Sequence, residues 1–383
     1  MRWRYLSVMP ILLVFLAAFT CDFSFNKTGS EAWDTARPLK EIYKNDFLVG
    51  NIISPGDFNS ADKIRFDIIK RHYNSVTAEN DMKPEALAPA VEGEAYNRYA
   101  NADAIVSAAR AAGLSVHGHA LVWHEQSPLW LRQGSRAEVQ AKWENHISEV
   151  AGHFRGQVDS WDVVNEAMKE SVSVAEADGD WKNCLRMVSP WNVAGSNAEL
   201  IEKAFLAARE ADPYAKLYYN DFNLDRAGKS RAVYKMVSDI NVRYPGVLGR
   251  KLIDGIGMQS HHNLKTSPES IAAAIKLFAS LGVEIAITEM DIMAVGAFGA
   301  PPVNYAWNDD TSALQARLYA AMFRVFRENA QYIKRVTFWG LDDGTSWRGG
   351  KRKNGPNAYP SLMDKDYGLK PAFDAVSRPA RYR

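Results

Sequence analysis

Only two cysteines occur among the 383 residues, Cys21 and Cys184, so the chain has no disulfide framework and must draw its stability from a buried core. Charge of one sign is lacking too. A formal net charge of +1 asks for neither nucleic acid nor an acidic partner, and no nucleic-acid partner is expected. No G-x-G-x-x-G turn follows the first apolar strand, which argues against a dinucleotide-binding sheet. Beyond Pro38 no Pro/Gly/Ser-rich linker divides the chain, so one domain over residues 38–383 is the economical reading. What is plentiful is tryptophan. Eleven of them suit a core, and equally a cleft that stacks on rings.

The apolar run from Leu6 to Phe19 is too short to span a bilayer comfortably, and with Arg2 and Arg4 before it reads as a secretory signal over residues 1–20. Leu16-Ala17-Ala18-Phe19-Thr20-Cys21 resembles a degenerate bacterial lipoprotein box, with Cys21 as the lipidated anchor and residues 21–37 as a polar tether. The expectation is export and attachment to a membrane surface through that lipid, or otherwise secretion.

Eight apolar runs predict strands: Phe47 to Ile53, Ser75 to Glu79, Leu114 to Trp123, Val158 to Glu166, Lys216 to Asn223, Gly255 to His261, Val283 to Asp291 and Arg335 to Asp342. Helical spacing lies between them. Val139, Trp143, Ile147 and Val150 follow a Ser135/Glu138 capping box, Ile271, Ile275 and Phe278 follow Ser267-Pro268, and Thr311 to Gln331 places Leu314, Leu318, Met322 and Val325 on one face. Strand and helix alternating eight times predict an α/β fold, a (β/α)8 TIM barrel, with its active site at the C-terminal strand ends.

Those strand ends carry chemistry. The fourth closes with Asn165-Glu166 and the seventh with Glu289, and paired carboxylates are the equipment of glycosidic bond cleavage. The second ends in Thr77-Ala78-Glu79-Asn80-Asp81-Met82-Lys83, a cluster able to hydrogen-bond a polyhydroxylated ligand. The third carries His117-Gly118-His119, which together with His261-His262 raises a metal-dependent hydrolase as an alternative. That version needs a first strand bearing histidine, whereas this one ends in Asn51-Ile52-Ile53, so no metal ion is expected. Trp339 and Trp347 flank a Gly-containing turn after the eighth strand and can serve as floor and wall for a sugar ring. Arg348 to Lys353 reads as a solvated loop.

With these residues in view the chain resembles the glycoside hydrolase family 10 endo-β-1,4-xylanases over roughly Pro38 to Val376. The motifs fall in order: the Thr77–Lys83 run, Gly118-His119-Ala120-Leu121-Val122-Trp123-His124, Trp161-Asp162-Val163-Val164-Asn165-Glu166, Tyr219-Asn220-Asp221, Gly257-Met258-Gln259-Ser260-His261, Ile287-Thr288-Glu289-Met290-Asp291 and Phe338-Trp339-Gly340. The resemblance implies that Glu166 is the acid/base and Glu289 the nucleophile of a retaining double displacement. It implies that Asn165 hydrogen-bonds at the catalytic subsite, that His261 orients the nucleophile and that Asp291 holds His261. Glu79, Asn80 and Lys83 would grip sugars on the non-reducing side. His119, Trp123, Gln126, Gln259, Trp339 and Trp347 would line the sugar at the cleavage point. The implied substrate is xylan or xylo-oligosaccharide, with no cofactor and a monomeric enzyme. Departures are peripheral: His117 stands where an arginine often precedes Gly-His, Ser171 to Ala198 is a longer stretch than the compact form has, and Phe298 to Asp310 is a further loop. A β-1,4-glucanase on the same scaffold is the rival enzyme, and a non-catalytic glycan-binding surface protein is the rival of another class.

Overall fold

The computed structural model describes residues 32–246, 249–294, 307–348 and 358–382. The signal segment 1–20, the Cys21 anchor, most of the tether, most of the loop 298–310 and the basic residues from 349 to 353 lie outside the described residues. The end of the tether, where described, packs on the domain: Ala36 is buried, and the Trp33 carbonyl contacts His72 Nε2 at 2.7 Å.

The eight expected strands all form, as β1 (Leu48–Ile53), β2 (Ser75–Ala78), β3 (Ser115–Val122), β4 (Ser160–Asn165), β5 (Lys216–Asp221), β6 (Gly255–Met258), β8 (Glu284–Met293) and β9 (Ile333–Phe338), with a short extra strand β7 (His261–Asn263). Each of the eight pairs in parallel with its neighbours, β6 with β8 and β9 back onto β1, so the sheet closes on itself. This is the (β/α)8 barrel. Helices bury their apolar faces against its outside. Tyr43 near the start donates its hydroxyl to the Val376 carbonyl near the end at 2.5 Å, tying the two ends of the barrel together.

Two expectations are corrected. The sixth run does not continue to His261: Ser260 adopts a left-handed φ of 63°, and the chain re-enters as β7, pairing only with β8. The helix Asp309–Glu328 buries Gln315, Tyr319, Met322, Phe323 and Phe326, whereas Leu314 is exposed. Both stripes have helical spacing, and the one carrying aromatic rings removes more apolar area from water.

The tryptophans divide. Trp143, Trp161 and Trp191 are fully buried, whereas Trp123, Trp339 and Trp347 line a cleft. Trp161 also explains a glycine. A Cβ on Gly118 would stand 2.1 Å from the Trp161 ring, so the residue between the two histidines of β3 can only be glycine in this packing.

Candidate active site

Every residue expected at the cleavage point lies at the C-terminal mouth of the barrel, in a cleft of about 440 Å³. Glu166 is the residue immediately after β4 and takes a left-handed φ of 57°. Such a backbone is uncommon for a residue with a side chain and persists only where the surroundings dictate it. Here they do. The Glu166 N–H donates to the Asn220 carbonyl at 2.9 Å, and Arg186 Nε donates to the Glu166 carbonyl at 2.9 Å. The carboxyl then receives Gln259 Nε2 at 2.8 Å.

Glu289, expected to close its strand, instead sits inside β8, which runs on to Met293. Asn220 Nδ2 donates to its Oε1 at 2.8 Å, and His261 Nε2 stands 3.1 Å from Oε2. The far side of that imidazole, Nδ1, lies 3.1 Å from Asp291 Oδ2. Asp291 is held in turn by Trp347 Nε1 at 2.9 Å and Arg348 Nε at 2.9 Å. The Asn165 amide lies between the two carboxyl systems, 3.0 Å from Asn220 Nδ2 and 3.3 Å from Gln259 Nε2.

The surroundings push the two glutamates in opposite directions. Burial, with Asp221 and Glu289 adding negative charge nearby, raises the Glu166 carboxyl above the ordinary carboxylate value, against hydrogen bonds from Gln259 and Trp123. Burial acts on Glu289 in the same sense, but His119 and His261 outweigh it and bring that carboxyl below its ordinary value. The His261 imidazolium is disfavoured by burial, yet favoured more strongly by Asp291 and Glu289, so its pKa rises. Against burial, Arg348 and His261 lower Asp291 to about 2.

The polar cluster after β2 joins the same cleft. Lys83 Nζ donates to Asn80 Oδ1 at 2.9 Å and to Gln126 Oε1 at 2.6 Å, and lies 5.0 Å from the Trp123 ring centroid. Glu79 and Lys83 are both buried. His119 meets the Trp339 ring edge-on at 5.2 Å, and Trp347 lies 4.8 Å from His261. The part-buried ion pair Arg65–Asp342 and the buried pair Lys370–Asp343 fasten the turn that carries Trp347. The H-x-H pair does not splay toward an open site: His119 Nδ1 and His117 Nε2 lie 2.9 and 3.0 Å from the same Asp162 oxygen.

Several cleft residues had no assigned part in the sequence. Asn220 belongs to a recognised motif, but only its position at the end of β5 shows that it bridges Asn165 and Glu289. Phe222, Asn223 and Arg186 also line the cleft. Arg186 comes from the long stretch after the acid. That stretch is clamped to the strand end: Lys169 N–H donates to the Cys184 carbonyl at 2.8 Å, and Arg186 N–H donates to the Ala167 carbonyl at 2.9 Å. Its guanidinium lies 5.4 Å from the Phe222 ring and 3.8 Å from Glu166 Oε2. Behind Glu166, the fully buried pair Lys229–Asp221 closes at 2.7 Å, and Asp221 also accepts the Tyr219 hydroxyl at 2.6 Å.

The model of glycosyl hydrolase family 10 matches residues 38–379. A β-1,4-xylanase of Dictyoglomus thermophilum is 36% identical over 374 residues, covering 96% of this chain and 97% of that protein. An endo-1,4-β-xylanase A of Thermotoga neapolitana is 38% identical over 350 residues, which are 89% of this chain and 31% of that longer protein. Among solved structures, the xylanase XynB of Paenibacillus barcinonensis in complex with a conduramine derivative superposes with a TM-score of 0.78 at 31% identity, covering 89% of this chain and 98% of that one. Fold, site and relatives agree, and the chain belongs to glycosyl hydrolase family 10.

Proposed function

We propose that the protein hydrolyses internal β-1,4-xylosidic bonds of xylan with retention, Glu289 acting as nucleophile and Glu166 as acid/base. The observation that carries this reading is the opposed ionisation of two glutamates facing one cleft. Glu289 attacks the anomeric carbon, forming a glycosyl–enzyme ester as the C–O bond to the leaving sugar breaks, while Glu166 gives its proton to the leaving oxygen. Glu166, now a carboxylate, takes a proton from water as the water attacks the anomeric carbon, and Glu289 departs with the electron pair of the ester bond. Asn165, Asn220 and His261 position the reacting carboxyls. Asp291 holds His261, and Glu79, Asn80 and Lys83 grip the sugars that remain attached. The anomer released from xylan, followed by proton NMR, tests this directly: β product first, α only by slow mutarotation. Release of α product first would sink it.

The pH profile follows from the same shifts. Activity needs Glu289 ionised and Glu166 protonated in the free enzyme. The Glu289 pKa lies below the ordinary value of about 4.3, so the acid limb of kcat/KM should begin only at lower pH. The Glu166 pKa lies above that value, so the alkaline limb should move up with it and vanish in Glu166→Ala. A limb that survives that substitution would belong to another group.

Selection of xylose over glucose is assigned to Trp347 and Gln126, two cleft-lining side chains that would crowd a C6 hydroxymethyl. Trp347→Ala should lower xylan turnover and shrink the preference for aryl xylobioside over aryl cellobioside. One such group in a pocket is worth about 1–3 kcal/mol, so a change of roughly ten- to two-hundred-fold is the ceiling. An unchanged ratio places selectivity elsewhere.

The basic start, the apolar run and Cys21 support export with a lipid anchor. Cys21→Ser should move the protein from the membrane fraction to the soluble one. A wild type already wholly soluble outside the cell overturns the anchor.

A further inference from the structure

We propose that Arg335, deep in the barrel interior, is a positioning residue for the nucleophile, acting through a directed chain of polar contacts that passes Ser160, His117, Asp162 and His119.

The first direction is fixed. A guanidinium can only donate, so Arg335 Nη1 donates to Ser160 Oγ at 3.2 Å while its Nε donates to Thr337 Oγ1 at 3.1 Å. The Ser160 hydroxyl has one hydrogen to give, and His117 Nδ1 lies 2.7 Å away. Burial, with Arg335 nearby, lowers His117 to about 4, so near neutral pH the ring carries one proton. If Nδ1 accepts from Ser160, that proton is left on Nε2, which lies 3.0 Å from Asp162 Oδ2 in a charge contact whose angle is too bent for a hydrogen bond. The same oxygen accepts His119 Nδ1 at 2.9 Å, and that nitrogen stands 3.9 Å from Glu289 Oε1. With the proton on Nε2, each contact from Arg335 onward points its hydrogen toward Asp162, and Asp162 accepts from the histidine that faces the nucleophile.

Burial of Arg335 argues against a merely structural part. It is 4% exposed, its closest partners are two hydroxyls and the face of Tyr218 at 5.9 Å, and no carboxylate of the described residues pairs with it directly. An apolar side chain of similar volume would avoid the cost of desolvating a charge. A guanidinium at this point makes sense if its direction of donation is what matters.

The test reads tautomer and turnover together. In nitrogen–proton NMR of the histidine rings near pH 6.5, with the signal assigned by His117→Asn, His117 should carry its proton on Nε2. In Arg335→Met and in Ser160→Ala a share of it should move to Nδ1. With an aryl xylobioside, kcat should fall roughly ten- to a hundred-fold in both, the scale of a slight misplacement of a reacting group, with KM within about twofold. Arg335→Lys, which can still donate to Ser160, should recover most of the loss. Should Arg335→Met fail to fold, Ser160→Ala, which removes one oxygen, decides alone. A wild-type proton on Nδ1, or an unchanged kcat in the variants that fold, overturns the proposal. The kinetic half rests on Glu289 as nucleophile, whereas the tautomer does not depend on which bond the enzyme cuts, so failure of one is distinguishable from failure of the other.

Discussion

Replacing Glu289 by alanine should abolish turnover of every substrate, aryl xylobiosides with acidic phenols included, by roughly ten-thousand- to million-fold. No leaving group, however good, can compensate for a missing nucleophile. The site around it is also built for a carboxylate: Asn220 and His261 donate to both oxygens, and the variant leaves two buried donors facing an empty volume. Small anions supply the cleanest check. Azide added to Glu289→Ala should yield the α-glycosyl azide from an activated β-aryl glycoside, entering on the face the carboxylate has vacated. Azide of β configuration from this variant, or activity within a hundredfold of wild type, would remove Glu289 from its role.

Glu166→Ala should fail differently, and the difference is the evidence. A general acid is worth about a hundred- to ten-thousand-fold, and it is needed only where the leaving oxygen must be protonated. Xylan turnover should therefore fall by that factor or more. An aryl xylobioside with an acidic phenol should still glycosylate Glu289 at near wild-type rate, release one burst of phenol and then stall, because no base remains to activate water. Azide should restart the cycle and give the β-glycosyl azide. Equal loss on activated and natural substrates, or no burst, would show that Glu166 is not the acid/base.

The barrel was legible because each strand is an apolar run punctuated by a polar end, and because the helices between carry caps such as Ser135/Glu138 that form as read. Glu166 and Glu289 were legible by company rather than alone: an acid near the end of one apolar strand is commonly a turn residue, but here the other strand ends carry amides, imidazoles and indoles as well. The break at Ser260 was not, since nothing in Gln259-Ser260-His261 announces a left-handed residue. Arg335 lay hidden inside an ordinary strand pattern. Its meaning depends on Ser160 and His117, which lie far from it in the chain and beside it only once the sheet has closed. The same holds for Arg186, whose long loop has no period to read and gains a place only through pairing with residues just after the acid.

Eight non-glycine residues among those described adopt left-handed backbone, and four of them, Gln126, Glu166, Asn223 and Ser260, lie in or beside the cleft. For anyone wishing to harden this protein against heat, these are the positions a backbone-based search would select first, because glycine there relieves roughly 1 kcal/mol or more of local strain. They are also where the reward would be deceptive. At position 166 the glycine variant should outlast the alanine variant in a melting experiment while both lack the acid, so thermal selection unaccompanied by an activity screen would drift toward sturdier barrels with silent mouths.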